Sequence, residues 1–265
     1  MSKIKIHVCS NELESWDTIW KWKWFTRDVW ENVYWKEEQA TLRPLFPLLH
    51  KLNIKSILDC SCGLGFKTIL FAKRGFEVEG SDGSPNAIKY APQLAKEKRV
   101  KIRFFLSRYE ELGEKCKRKY DCVFSDNFDE IETYKYMKVA AKNIHSILND
   151  DGKLIFSALP PHFSRKDLKK VIEKEWRKRK RFDVDAPYEK DGIRVTRIEV
   201  NEKTSEGILE NNIFLIEEHG VLRVEIAQIM NPRIKWTWKD YYKVLKEAGF
   251  SEVYSTKENF AVAIK

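Results

Sequence analysis

The chain has 265 residues, 43% hydrophobic and 34% charged, with a formal net charge of +9. That is enough apolar material for one large α/β domain or a domain with a sizeable insertion. No run reaches the roughly 20 apolar residues that cross a bilayer. The opening MSKIKIHVCS lacks the apolar stretch of a secretory signal.

Five cysteines without disulfide-like spacing point to a reducing cytoplasm. The first distinctive segment, WDTIWKWKWFTRDVWENVYW (16–35), holds six of the nine tryptophans. Trp16, Trp20 and Trp24 recur every four residues, and Trp30 and Tyr34 repeat that spacing, so each set lies on one face of a helix. Core packing explains such a stripe, and so does a lid over a small-molecule site. Asp17, Arg27, Asp28 and Glu31 interrupt the apolar surface and argue against a membrane anchor.

From Lys55 to Ser157 short apolar strands alternate with amphipathic helices, the pattern of a parallel sheet. Strands are predicted at 56–60, 76–81, 100–106, 120–125 and 152–158, with helices around 66–74, 84–97 and 131–148. Ser84-Pro85 supplies an N-cap with proline at the first helical position. After Pro160-Pro161 the alternation stops. A basic helix (about 164–179) precedes IRVTRIEV, ILENNIFLIEE and VLRVEIAQI, which read as an inserted antiparallel sheet. WTWKDYYKVLKEAGF then forms a helix stopped by Gly249, and SEVYST and FAVAIK close the chain. The expected divisions are an N-terminal helical segment (1–50), a nucleotide-type core (51–160), the basic helix and insertion (161–235), and a return to the core (236–265).

The chemistry lies in ILDCSCGLGFKTILFAKRGFEVEGSDGSPNAIKYA (57–91). A buried strand ends at Asp59, turns through Gly63-Leu64-Gly65 and enters a helix, where glycines admit a ligand and free N–H groups face an anion. The next strand ends at Asp82, where a carboxylate takes both hydroxyls of a ribose. A dinucleotide site needs a third glycine where Thr68 stands, and no G-K-[ST] follows for Walker-type phosphate binding. Asp59 also suits a helix-capping acid, and Asp82 a plain turn residue. Cys60 and Cys62 lack zinc-type spacing with Cys116 and Cys122, so no metal is expected there.

The segment resembles the class I S-adenosylmethionine-dependent methyltransferases in their L-D-x-x-C-G-x-G form, here Leu58 to Gly65. YDCVFSDNFDEIE and LKEAGF extend the resemblance, which covers roughly 35–160 and 236–265. It implies an α/β, Rossmann-like seven-strand sheet with helices on both faces and an antiparallel last strand. It also implies an N-terminal helical lid and an antiparallel β insertion after the fifth strand. The implied cofactor is S-adenosylmethionine. Asp59, Ser61, Cys62, Gly63 and Gly65 would hold its methionyl part and Asp82 its ribose. Gly83 and Ser84 would border the adenine. Arg108 stands where the family often has an acid, and the following Tyr109 would contact the ring. Asn127 would lie where methyl and acceptor meet.

The layout is closest to the glycine N-methyltransferase-like branch, which implies methyl transfer to the nitrogen of a small molecule. SALPPHFS after the fifth strand offers no arginine for an amino-acid carboxylate. Arg194 and Arg197 on the insertion, with Trp20, Trp24 and Tyr34, are the candidate acceptor residues. In-line displacement at an activated sulfonium needs alignment and exclusion of water more than a dedicated base, so no catalytic residue is named. Two other readings stay open. One is an RNA (tRNA or rRNA) methyltransferase using the run Trp176-Arg177-Lys178-Arg179-Lys180-Arg181, although the Asn/Asp-Pro-Pro-Tyr signature is replaced by SDNF. The other is a non-catalytic S-adenosylmethionine-binding regulator.

Overall fold

Buried strands joined by helices have one economical arrangement, a parallel sheet covered on both faces. The computed structural model, which describes residues 4–265, adopts it. In chain order it begins with β1 (Lys5–Val8), α1 (Glu12–Phe25), α2 (Arg27–Leu42) and α3 (Leu45–Lys51). The alternation follows as β2 (Ser56–Cys60), α4 (Phe66–Lys73), β3 (Glu77–Asp82), α5 (Pro85–Glu97) and β4 (Arg103–Leu106). A 3-10 turn at Tyr109–Glu111 and the short α6 (Leu112–Lys115) lead to β5 (Tyr120–Ser125), α7 (Tyr134–Ile147) and β6 (Leu148–Ser157). Then come α8 (Arg165–Lys178), β7 (Phe182–Val184), β8 (Tyr188–Lys190), β9 (Ile193–Lys203), β10 (Gly207–Glu218) and β11 (Val221–Arg233). The chain closes with α9 (Trp238–Glu247), β12 (Glu252–Ser255) and β13 (Phe260–Ile264).

These elements separate into two units. The larger combines Arg27–Ser164 with Trp236–Lys265. Its seven-stranded sheet has the order β12-β13-β6-β5-β2-β3-β4. The central pairings are parallel, and β13 runs antiparallel to both of its neighbours. Side chains alternate across the sheet as strand geometry requires. Ile57, Cys122, Phe124, Ile155 and Val262 point to one face, where Leu42, Leu45, Leu49 and Phe71 from α2, α3 and α4 cover them. Leu58, Val123, Leu154, Phe156 and Ala261 point to the other, under Ala140, Ile144, Val244 and Leu245 from α7 and α9.

The second unit combines the residues up to Thr26 with Arg165–Lys235. Its six-stranded sheet has the order β1-β11-β10-β9-β7, with β8 also paired to β9. Helix α1 covers one face, burying Ile19 and Trp22 against Val195, Phe214, Ile216, Ala227 and Ile229. The Trp22 indole N–H donates to Glu225 at 2.6 Å, and the Lys21 ammonium reaches the same carboxylate at 3.1 Å.

Two expectations are corrected here. The helical segment expected over 1–50 begins with a strand and is divided near Thr26, its halves belonging to different units. Its first three residues lie outside the described residues. The stripe Trp16, Trp20, Trp24 is also not the buried face of α1. The residues buried are Ser15, Thr18, Ile19 and Trp22, while those three tryptophans are half-buried and Trp16 stacks on Trp20 at 5.6 Å. No helix among the described residues is long and apolar enough to cross a membrane.

Candidate functional site

The carboxyl ends of β2, β3 and β5 converge on the glycine turn. Strand β2 is wholly buried, and the chain leaves it through left-handed backbone at Ser61 (φ 57°), Gly63 (φ 52°) and Gly65 (φ 83°). A side chain is costly in that region, and at Gly65 a Cβ would also meet the Phe104 ring at 2.9 Å. The turn is fastened from the second strand. Asp82 accepts the Gly63 N–H at 2.8 Å through one oxygen and the Ser84 N–H at 2.8 Å through the other. The Ser84 hydroxyl in turn caps α5 by accepting from Ala87 N–H at 3.0 Å, with Pro85 at the first helical position. Asp82, Gly83 and Ser84 thus form one element with the turn.

Asp59 lies beneath the turn at 1% exposure and accepts the Thr68 hydroxyl at 2.5 Å. Burial pushes its carboxyl up to about 7, against the lowering influence of the Thr68 hydroxyl and the Lys67 charge. Burial likewise raises the Cys60 and Cys62 thiols, which keeps them protonated and unreactive.

Tyr109 stands between the glycine turn and the end of β5. Its hydroxyl bonds the Ser61 hydroxyl at 2.8 Å and the Ser125 hydroxyl at 2.6 Å, tying the glycine turn to the end of β5. Its ring meets Tyr136 edge-on at 6.2 Å. Asn127, two residues beyond Ser125, donates to Glu130 at 3.3 Å within its turn.

A cluster that sequence reasoning missed borders the same turn. The Lys67 ammonium sits 2.7 Å from Glu38 and 2.6 Å from Asp126. Glu38 and Lys67 are nearly enclosed, with side-chain exposures of 7% and 14%. Both carboxylates hold the lysine protonated in spite of its burial. Tyr34, hydrogen-bonded to Glu38, has its phenol pushed up chiefly by burial. Aromatic rings complete this corner, with Trp35, Tyr34 and Trp30 lying 4.4, 4.8 and 5.7 Å from the ring of Phe66, the first residue of α4. The available signal was the i,i+4 spacing of Tyr34 and Glu38 on one helix face, together with Lys67 two residues past Gly65.

Trp20, Trp24, Arg194 and Arg197 belong to the other unit. Arg194 is exposed, opposite Glu217 in the strand register. Arg197 is engaged by Asp185 at 2.9 Å, Glu199 at 3.1 Å and Asn212 at 3.1 Å. Three of the five basic residues in the run 176–181 have acidic neighbours. Lys178 pairs with Glu175, Lys180 with Asp183, and Arg179 lies 3.5 Å from Glu210. The Arg181 guanidinium stacks 3.3 Å from the Trp176 ring centre.

A seven-stranded sheet with one reversed strand, and a glycine turn locked to a second-strand acid at its carboxyl edge, are the arrangement of class I methyltransferase domains, the class whose cofactor is S-adenosylmethionine. Residues 57–152 match the family described as a methyltransferase domain. A Geobacillus sp. (strain WCH70) protein named as a methyltransferase is 34% identical over 104 residues, 38% of this chain and 41% of that protein. The glycine/sarcosine N-methyltransferase of Parasynechococcus marenigrum is 26% identical over 110 residues, 41% of this chain and 39% of the relative. The alignments thus span about two-fifths of these curated relatives. Among solved structures, the sugar N-methyltransferase KedS8 from Streptoalloteichus sp. superposes with a TM-score of 0.63 at 14% identity, covering 91% of this chain and 92% of that one.

The donor set at the turn fits the cofactor. S-adenosylmethionine presents a ribose diol, an ammonium, a carboxylate and a sulfonium. The turn is bordered by the carboxylates Asp59, Asp82, Glu38 and Asp126 and by one enclosed lysine, Lys67.

Proposed function

We propose that the chain is an S-adenosylmethionine-dependent methyltransferase that transfers a methyl group to a nitrogen of a small molecule. The observation that carries this reading is Asp82 bonded to both Gly63 and Ser84, which fixes a carboxylate at the glycine turn. The cofactor supplies an activated methyl on a positively charged sulfur. Asp82 binds the ribose, Gly83 and Ser84 border the adenine, and the turn from Asp59 to Gly65 carries the methionyl part. Tyr109 serves as a strut beneath the turn, and Asn127 borders the acceptor.

Helix α2 acts as a lid for this unit. Its aromatic residues pack on the first residue of α4, and its Glu38 is bound to Lys67 beside the turn. Closing the site excludes water and aligns the acceptor's lone pair with the methyl, which is most of what this displacement requires. Nitrogen as acceptor is supported by two of the proteins the chain resembles, a glycine/sarcosine and a sugar N-methyltransferase. The ion pairs within 176–181 favour a small molecule over RNA, because most of that charge is already matched by acids of the chain.

The test is transfer of labelled methyl from S-adenosylmethionine to a panel of small amines, including amino sugars and amino acids, beside hydroxyl compounds, tRNA and rRNA. Labelled small amine is the expected outcome. Label in oxygen or in RNA alone would overturn the acceptor class. Cofactor binding without transfer to any acceptor would favour the regulator reading.

A further inference from the structure

The smaller unit contains a second convergence of reactive side chains, made by β1 and the first turn of α1. His7 and Cys9 are two residues apart on an extended segment, since the Cys9 N–H continues the pairing of β1 with β11 by donating to Ile226 at 2.9 Å. Their side chains therefore project to the same side. Glu14 reaches them from the first turn of α1, which Asn11 caps. One ligand atom from each of His7, Cys9 and Glu14 lies within 4.8 Å of the other two.

We propose that His7, Cys9 and Glu14 form a binding site for a zinc-type divalent cation that clasps β1 to α1. Three atoms so close share a point about 2.8 Å or less from each, and side-chain shifts of at most about 0.5–0.8 Å reach the roughly 2.0–2.3 Å of zinc–nitrogen, zinc–oxygen and zinc–sulfur bonds. The carboxylate is already aimed. Ser10 holds Glu14 Oε2 through its backbone N–H at 2.6 Å and its hydroxyl at 2.7 Å, leaving Oε1 directed at His7 Nε2, 2.9 Å away. Outer bonds of this kind orient metal ligands.

The donor set selects the metal. One sulfur, one imidazole nitrogen and one carboxylate suit a borderline-soft ion such as zinc and are poorly matched to magnesium or calcium. The start of a helix disfavours a bare cation, but a thiolate and a carboxylate together neutralise a divalent charge. On binding, the Cys9 thiol releases its proton to solvent, the neutral His7 ring carries its proton on Nδ1 so that the Nε2 lone pair is free, and the His7–Glu14 hydrogen bond gives way to two metal bonds. Three protein ligands leave a fourth tetrahedral position for water. The consequence is structural, since β1 is a four-residue edge strand with every residue exposed, and the ion would anchor it.

The probe is zinc chloride titrated into chelator-stripped full-length protein against a chromophoric chelator, with cobalt substitution as a spectroscopic check. We expect one zinc per chain, at least tenfold weaker binding in His7→Ala and in Cys9→Ser, and no change in Cys116→Ser. The cobalt form should show a thiolate-to-metal band that Cys9→Ser lacks. Alkylation of Cys9 in the wild type should slow when zinc is present, a readout that needs no variant to fold. Absence of micromolar binding, unchanged affinity in Cys9→Ser, or unaltered Cys9 alkylation would each overturn the proposal.

Discussion

Lys67 shows how much of this site rests on single side chains. It stands between Glu38 and Asp126 in a nearly enclosed corner, and removing one partner of a buried ion pair leaves the others uncompensated. Lys67→Met should therefore destabilise the fold by about 3 kcal/mol, measured by urea unfolding. A change within the ordinary range of surface substitutions would mean that the cluster is solvated in solution. Asp59 makes the second residue-scale prediction. Its folded carboxyl titrates at about 7 because of burial, whereas an unfolded aspartate titrates near about 4. Between those values the folded chain keeps a proton that the unfolded chain gives up, so this group costs stability progressively as pH rises from about 4 to 7. Asp59→Asn lacks that cost, and its stability relative to wild type should rise between pH 5 and pH 8. A pH-independent difference would contradict the assignment.

At the level of elements, α1 explains where sequence reading succeeded and where it stopped. Tryptophans at four-residue intervals identified a helix, and a helix is present, but spacing alone does not choose which face is buried. The partner sheet chose Ser15, Thr18, Ile19 and Trp22, because the Trp22 indole N–H meets Glu225 more than two hundred residues away. Trp22→Ala removes both the packing and that bond, and should cost about 3–5 kcal/mol. Trp16→Ala, at a half-buried position, should cost clearly less, and equal losses in thermal or urea unfolding would reverse the facing. Strands β1, β7 and β8 were illegible for a related reason. They are three or four residues long, too short for a period-two signal, and pairing with neighbours distant in sequence defines them. The central strands β2 and β5 were legible because burial on both faces gives continuous apolar runs. The glycine turn and Asp82 were legible because backbone geometry demands those residues, whereas Glu38 and Asp126 look like any surface acids until Lys67 joins them.

For the whole molecule, the net charge of +9 is the feature most open to misreading. Three of the five basic residues at 176–181 lie beside Glu175, Asp183 and Glu210, so the run carries less uncompensated charge than its sequence suggests. Replacing Arg177, Lys178, Lys180 and Arg181 by glutamine should leave methyl transfer to a small amine within about twofold. An RNA enzyme would instead lose affinity and show a shallower salt dependence, by about 0.7 in log–log slope for each lost contact with a single strand. The central claim, that the glycine turn and Asp82 hold S-adenosylmethionine, is tested most directly by titration calorimetry of the wild type and Asp82→Ala. The wild type should bind S-adenosylmethionine and S-adenosylhomocysteine at one site while NAD and ATP give no heat. Asp82→Ala should bind at least tenfold more weakly, since hydrogen bonds to a charged acceptor contribute roughly 1.5–3 kcal/mol each. No binding by the wild type, or equal affinity in Asp82→Ala, would contradict the account.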